Sequence, residues 1–215
     1  MNFLGHLYLS GENDGFKIGN FIGDYVKGKA YLEYDGDIRQ GILLHRKIDR
    51  FTDLHDMIKS SSTWFRPGYG RYSGVVVDIV FDHLLASNWH KYSKYRLRDF
   101  ARKTHALLLA NFGKLPLRVK RFLPYMIQNR RLESYAARDG IRKALELMSQ
   151  YTSLPGEQDF AMDMVNKHYE ELLGNFERFM DDIILYVASS YQVRIRKPEI
   201  VQGNFINEAF KNPTP

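Results

Sequence analysis

The run Val75-Val76-Val77-Asp78-Ile79-Val80-Phe81-Asp82-His83-Leu84-Leu85 decides how this chain folds. Its opening valine triplet has the composition of a buried strand, because β-branched residues pack well on a pleated surface. The continuation through Asp78, Ile79, Phe81, Leu84 and Leu85 keeps a helical spacing and outlasts an ordinary strand. Read as a buried helix, it removes the strongest strand candidate, and alternation of apolar and polar residues is rare elsewhere. The expectation is an all-α protein, a single-domain helical bundle of about seven to nine helices.

The flanking sequence agrees. Ile38 to Phe51 places Ile38, Ile42, Leu43 and Ile48 on one side with charged residues opposite. Phe160, Met164, His168, Leu172, Phe176, Phe179, Ile183 and Val187 step by three and four over about seven turns. Ser134 to Tyr151 reads as a further amphipathic helix. Pro155 ahead of Glu157 and Asp159 suits a helix start, Pro116 suits a first turn, and Pro124 is expected to kink or end its helix. Breakers gather at Gly11 to Gly15, Gly28 to Gly36 and Pro67 to Gly74. No repeat or linker divides the chain, so residues 1–203 are expected to form one domain followed by a tail at 204–215.

The 215 residues, 44% hydrophobic and 26% charged, have the balance of a soluble globular protein. There is no cysteine, which leaves His, Asp, Glu and backbone oxygens as metal donors. The first residues form no signal peptide, and no stretch approaches the roughly 18 apolar residues of a membrane span, so a cytoplasmic protein without a membrane partner is expected. A formal charge of +6 and a pI near 9.3 suit an acidic partner. No nucleic-acid motif appears, and no partner of that kind is expected.

Asp and His are concentrated in the most apolar segments. His45, Asp49 and Asp53 stand four apart, so a continuous helix stacks them on one face. Asp78 and Asp82 share a face of the valine-rich helix, with His83 about 100° around from Asp82. His6 and Asp24 lie in similarly apolar company. A carboxylate in such surroundings needs a cation partner or a metal. Imidazole and carboxylate donors without thiolate suit Mn²⁺, Fe²⁺, Mg²⁺ or Zn²⁺. Arg46 and Arg50, interleaved with these residues, are candidates for a substrate phosphate. The glycines of Gly19-Asn20-Phe21-Ile22-Gly23-Asp24 are read as close helix packing rather than a phosphate loop. His90, His105 and His168 are read as structural, and His55 is left unassigned.

Four segments carry a resemblance: Met1 to Leu7, Gly19 to Gly28, Gly41 to His55 and Arg71 to Trp89. In this order and spacing they resemble the acyl carrier protein phosphodiesterases, over roughly residues 1 to 90. The resemblance implies hydrolysis of the phosphodiester between 4′-phosphopantetheine and a serine of holo-acyl carrier protein. It implies an Mn²⁺ cofactor (Mg²⁺ or Fe²⁺ as substitutes) and a fold likened to the all-helical HD phosphohydrolases. HD proteins have His before Asp, whereas here Asp82 precedes His83. Asp24 falls in the motif most closely linked to activity, and His6, His45, Asp78, Asp82 and His83 fall in the others. The expected metal ligands are drawn from Asp24, His45, Asp49, Asp78, Asp82 and His83. Arg46 and Arg50 are expected at the phosphate, and Asp53 or His6 in proton relay. The basic runs Lys91 to Arg98, Arg118 to Arg121 and Arg130-Arg131 are candidates for steering an acidic carrier protein. Two rivals remain at this point: an HD-like metal-dependent nuclease or nucleotide phosphohydrolase, and a non-catalytic module that binds an acidic protein.

Overall fold

The computed structural model describes residues 2–195, 197 and 198, and the expected tail at 204–215 lies outside the described residues. In chain order the helices are α1 (Phe3–Tyr8), α2 (Asp14–Ile22), α3 (Gly36–Leu54), α4 (Asp56–Tyr69), α5 (Ser73–Ser87) and α6 (Trp89–Tyr92). They continue as α7 (Leu97–Ala110), α8 (Leu117–Gln128), α9 (Arg131–Ser134), α10 (Arg138–Tyr151), α11 (Gln158–Lys167) and α12 (Tyr169–Tyr191). No strand occurs among the described residues, so the fold is all-α. No helix among them is long and apolar enough to cross a membrane.

The valine-rich run is α5, and it is central. Val76, Val77 and every residue from Ile79 to Ala86 are buried. A helix that is apolar all round must be covered on all sides, and α1, α4, α10 and α12 do this. Around that core, α2 lies against α3 at unusually short range. A Cβ on Gly19 would stand 2.0 Å from the Ile38 carbonyl oxygen and 2.8 Å from the Gly41 Cα. Only glycine on both helices permits this approach, as the sequence suggested.

Helix α1 has only six residues, too few to hold itself. Its start is fixed from 80 positions away. The Asp82 carboxylate accepts backbone N–H bonds from Asn2 (3.2 Å), Leu4 (2.8 Å) and Gly5 (3.0 Å), satisfying donors that a helix N-terminus leaves open. Burial pushes this carboxyl up to about 7, and the three donors oppose a further rise.

Some helix limits differ from expectation. The long periodic stretch is two helices, divided at His168, whose ring stacks on Trp64 at 4.7 Å and 7°. Pro124 lies inside α8 without ending it, at an exposed position of the helix. The helix expected from Ser134 begins at Arg138, after the short α9. On α3 the fully buried leucine is Leu44, with Leu43 half-buried.

Replacing the long-range cap gives a direct check. Asp82→Ala strands three N–H groups, two of them buried, and is expected to cost about 2–3 kcal/mol in urea unfolding. Asp82→Asn keeps one acceptor and should lose less.

Candidate metal centre

The site forms where α1, α2, α3 and α5 meet. Helix α3 supplies His45 and Asp49 one turn apart, as their spacing requires. Helix α1 supplies His6 from the side tied to Asp82. The chain leaving α2 turns at Gly23 and presents Asp24. A Cβ at Gly23 would stand 2.2 Å from the His45 ring, so glycine is needed for Asp24 to come this close.

Distances bring these groups to one point. His6 Nε2 is 3.1 Å from Asp49 Oδ1, and His45 Nε2 is 3.1 Å from Asp49 Oδ2 and 3.5 Å from Asp24 Oδ1. The two imidazoles stack with centroids 4.1 Å apart. Ligand atoms of His6, His45 and Asp49 all lie within 4.8 Å of one another. Both imidazoles are about 5% exposed, whereas the Asp49 and Asp24 side chains are 44% and 66% exposed and open toward solvent.

Asn20, buried within α2, sets both rings. Its side-chain nitrogen donates to the His6 carbonyl (2.7 Å) and Ser10 Oγ (2.9 Å), so its oxygen must accept from His6 Nδ1 at 2.7 Å. Its backbone carbonyl accepts from His45 Nδ1 at 2.8 Å. With protons committed at Nδ1, both neutral rings turn an Nε2 lone pair toward Asp49. This is the arrangement in which an outer hydrogen bond orients a metal-ligating histidine. His45 Nε2 is buried and, despite its short distances to Asp49 and Asp24, makes an aligned hydrogen bond with neither. Separations of 3.1 Å also match the about 3 Å between neighbouring ligands of an octahedral ion with bonds of about 2.1 Å. The residues present therefore fit a divalent cation held by His6, His45, Asp49 and Asp24.

Electrostatics point the same way. Burial opposes a charge on His45, but Asp24 and Asp49 outweigh it and raise its pKa to about 9. Burial and the neighbouring His45 lower that of His6. Burial would raise Asp49, yet His45 and His6 hold it far below the usual carboxylate range, and His45 likewise lowers Asp24. A cation among the same atoms replaces the proton that His45 otherwise attracts.

A cavity of about 200 Å³ adjoins the cluster. His6, Asn20, Asp24, His45 and Asp78 give it a polar wall, and Phe3, Phe21, Val75 and Met148 an apolar one. Asp53 lies one turn beyond Asp49. Its pKa is raised by burial and then by the carboxylates of Asp78 and Asp49.

Of the residues singled out in the sequence, His6, Asp24, His45 and Asp49 meet, Asp78 lines the cavity and Asp53 flanks them. His6, expected in proton relay, lies in the same cluster as His45 and Asp49. Four others are placed elsewhere. Asp82 spends its oxygens on the α1 backbone, and His83 Nδ1 bonds the Tyr135 carbonyl at 2.7 Å. Arg46 donates to the Val26 and Gly28 carbonyls and covers the Tyr31 ring. Arg50 lines a different cavity, with His55 and Arg178. His55 also has a structural use there: Nδ1 accepts from Met57 N–H, and Nε2 donates to Asp182 at 3.1 Å. Asn20 was missed in the sequence, although a lone amide between Gly19 and Phe21 on an apolar helix was the available signal.

The sequence profile described as Acyl carrier protein phosphodiesterase matches residues 1–183, which contain every residue of the cluster. The chain belongs to this family. A relative of that name from Klebsiella pneumoniae (strain 342) is 33% identical over 181 residues, covering 83% of this chain and 93% of the relative. Another from Yersinia pestis is 31% identical over 180 residues, with the same two coverages, and one from Salmonella agona (strain SL483) is 30% identical over 190 residues, 87% of this chain and 98% of the relative. No solved structure matches the chain. Membership extends the resemblance seen in the first ninety residues across α7 to α11 and into α12.

Two outcomes follow from the geometry. Asn20→Ala frees the His6 ring and should weaken Mn²⁺ binding about 10- to 100-fold in calorimetric titration, with helical content kept. The second concerns protein held in excess chelator. The raised His45 pKa contributes stability that is complete below about 6.5, its unfolded value, and is lost as pH rises through about 9. Melting temperature should fall across that window, and His45→Gln should flatten the decline.

Proposed function

We propose that this chain is a metal-dependent hydrolase that cleaves the phosphodiester joining 4′-phosphopantetheine to the serine of holo-acyl carrier protein. The observation that carries the reading is the convergence of two Nδ1-anchored imidazoles on Asp49 and Asp24 beside the cavity. Family membership supports the substrate, and the donor set supports Mn²⁺, with Mg²⁺ or Fe²⁺ as substitutes. A bound divalent ion would supply positive charge for phosphoryl oxygens and make water more acidic at neutral pH.

The protein's own residues do the rest. His6 and His45 keep their Nε2 lone pairs available because Asn20 occupies both Nδ1 protons. Asp24, ionised at neutral pH and open to solvent, is placed to orient the attacking water at the cavity mouth. Water oxygen bonds to phosphorus as the bond from phosphorus to the serine oxygen breaks, and the water proton ends on that oxygen. Asp53, whose carboxyl is held above its ordinary value, carries protons between site and solvent. The apolar wall of Phe3, Phe21, Val75 and Met148 can pack the methyl and methylene groups of the slender pantetheine arm, while family membership favours the carrier-protein substrate over a nuclease reading.

Incubation with Mn²⁺ and holo-acyl carrier protein should shift its mass to that of the apo form, while oligonucleotides stay intact. Asp49→Ala and His45→Ala should each lower this activity at least about 100-fold. Cleaved oligonucleotides beside an untouched carrier protein would sink the proposal.

A further inference from the structure

The positive charge of the chain is concentrated in one place. Residues 100–132 contain eight Lys and Arg and no Asp or Glu. Of the chain's 31 Lys and Arg, the remaining 23 are outnumbered by its 25 Asp and Glu, so the whole positive excess belongs to this segment. It comprises most of α7, all of α8 and the turn into α9. Elsewhere cations pair with acids, as in Lys91–Glu177, Arg142–Asp159 and Lys143–Asp139. No ion pair among the described residues falls within 100–132. Surfaces usually intersperse both signs, and a field of one sign serves to attract a charged partner.

Helix α8 presents this charge together with apolar surface. Leu117, Arg118, Arg121, Pro124 and Tyr125 fall within about 120° of one another around the helix, and all five are exposed. On the opposite side Val119, Leu123 and Met126 enter the core. Leu117 is 63% exposed and Tyr125 41%, so the outer face of α8 leaves large apolar groups uncovered beside two guanidinium groups. The same helix reaches the candidate centre. Phe122 stacks on Phe3 with centroids 5.5 Å apart, and Phe3 lines the cavity beside the metal cluster. The other basic runs are less available: Lys91 is held by Glu177, Lys94 covers Tyr95, and Arg131 is buried over Tyr135.

We infer that the outer face of α8 is the docking surface for the acidic carrier protein whose arm the cavity receives. The inference rests on the carrier-protein reading for its partner. The acid-free segment draws in an acidic surface, and Leu117 and Tyr125 supply the apolar area that holds it. Leu117 and Pro124 gain from burial against a protein, whereas a phosphate backbone draws on the arginines alone. A carrier seated on α8 stands beside the apolar wall through the Phe122–Phe3 contact, with a short path for its arm.

The test uses the full chain loaded with Mn²⁺ and two forms of carrier protein. Calorimetry reads affinity for the apo form, which lacks the arm and so reports docking alone; mass spectrometry reads turnover of the holo form. Arg118→Glu/Arg121→Glu should weaken apo-carrier binding at least about 10-fold and raise KM by a similar factor, with kcat kept. A carboxylate in the first turn of α8 suits the helix dipole, so the melting temperature should not fall. Arg118→Lys/Arg121→Lys should bind nearly as wild type does, and Tyr125→Ala should bind more weakly. Arg121→Glu should weaken binding where Lys59→Glu on α4, an equal change in net charge, does not. Unchanged apo-carrier affinity in the double reversal overturns the inference, as does an equal loss from Lys59→Glu. Wild type that binds an oligonucleotide and no carrier protein also overturns it. A carrier protein that binds through α8 and is never converted leaves the docking surface standing and sinks the hydrolase reading.

Discussion

Everything at the candidate centre depends on one buried amide. Asn20 joins three helices through four hydrogen bonds: it fixes the His6 ring, the α1 backbone, Ser10 and the His45 ring. An amide in this position would be costly if any of its groups lacked a partner. With its side-chain bonds made, it becomes a specification. One residue dictates the tautomer of both histidines, and the direction of two lone pairs then follows. Remove that constraint and His6 and His45 are merely adjacent rings.

The packing around Asn20 is what allows such precision. Gly19 and Gly41 let α2 and α3 approach within backbone contact, and Gly23 clears the space that the His45 ring fills. Arg46 works in the same structural sense, holding the carbonyls of Val26 and Gly28 just beyond Asp24. A residue that looked like a phosphate ligand in the sequence thus steadies the segment that follows Asp24. The distinction matters chemically. A guanidinium that spends its donors on carbonyls is part of the scaffold, whereas an uncommitted one is available to an anion.

The sequence revealed the helical class and half of the centre because those features have short periods. The spacing through Ile79, Phe81, Leu84 and Leu85 marked α5, and the four-residue step from His45 to Asp49 marked the ligand face of α3. Long-range partners had no such mark. Asp78 and Asp82 look equivalent in the sequence, yet one lines the cavity and the other caps α1. That difference is decided by what packs one turn further along the same face. His168 shows the same limit: it fits the periodicity, while its stacking on Trp64 accompanies the break between α11 and α12.

The cap that Asp82 places on α1 also ties the candidate centre to the deepest part of the core. A six-residue helix has no independent stability, so the place of His6 depends on α5 at one end and on Asn20 at the other. His45 and Asp49, by contrast, are set one turn apart by α3 itself. A change in the packing of α5 would therefore reach the cluster through His6 alone, shifting one of its imidazoles while leaving the other and its carboxylate where they stand.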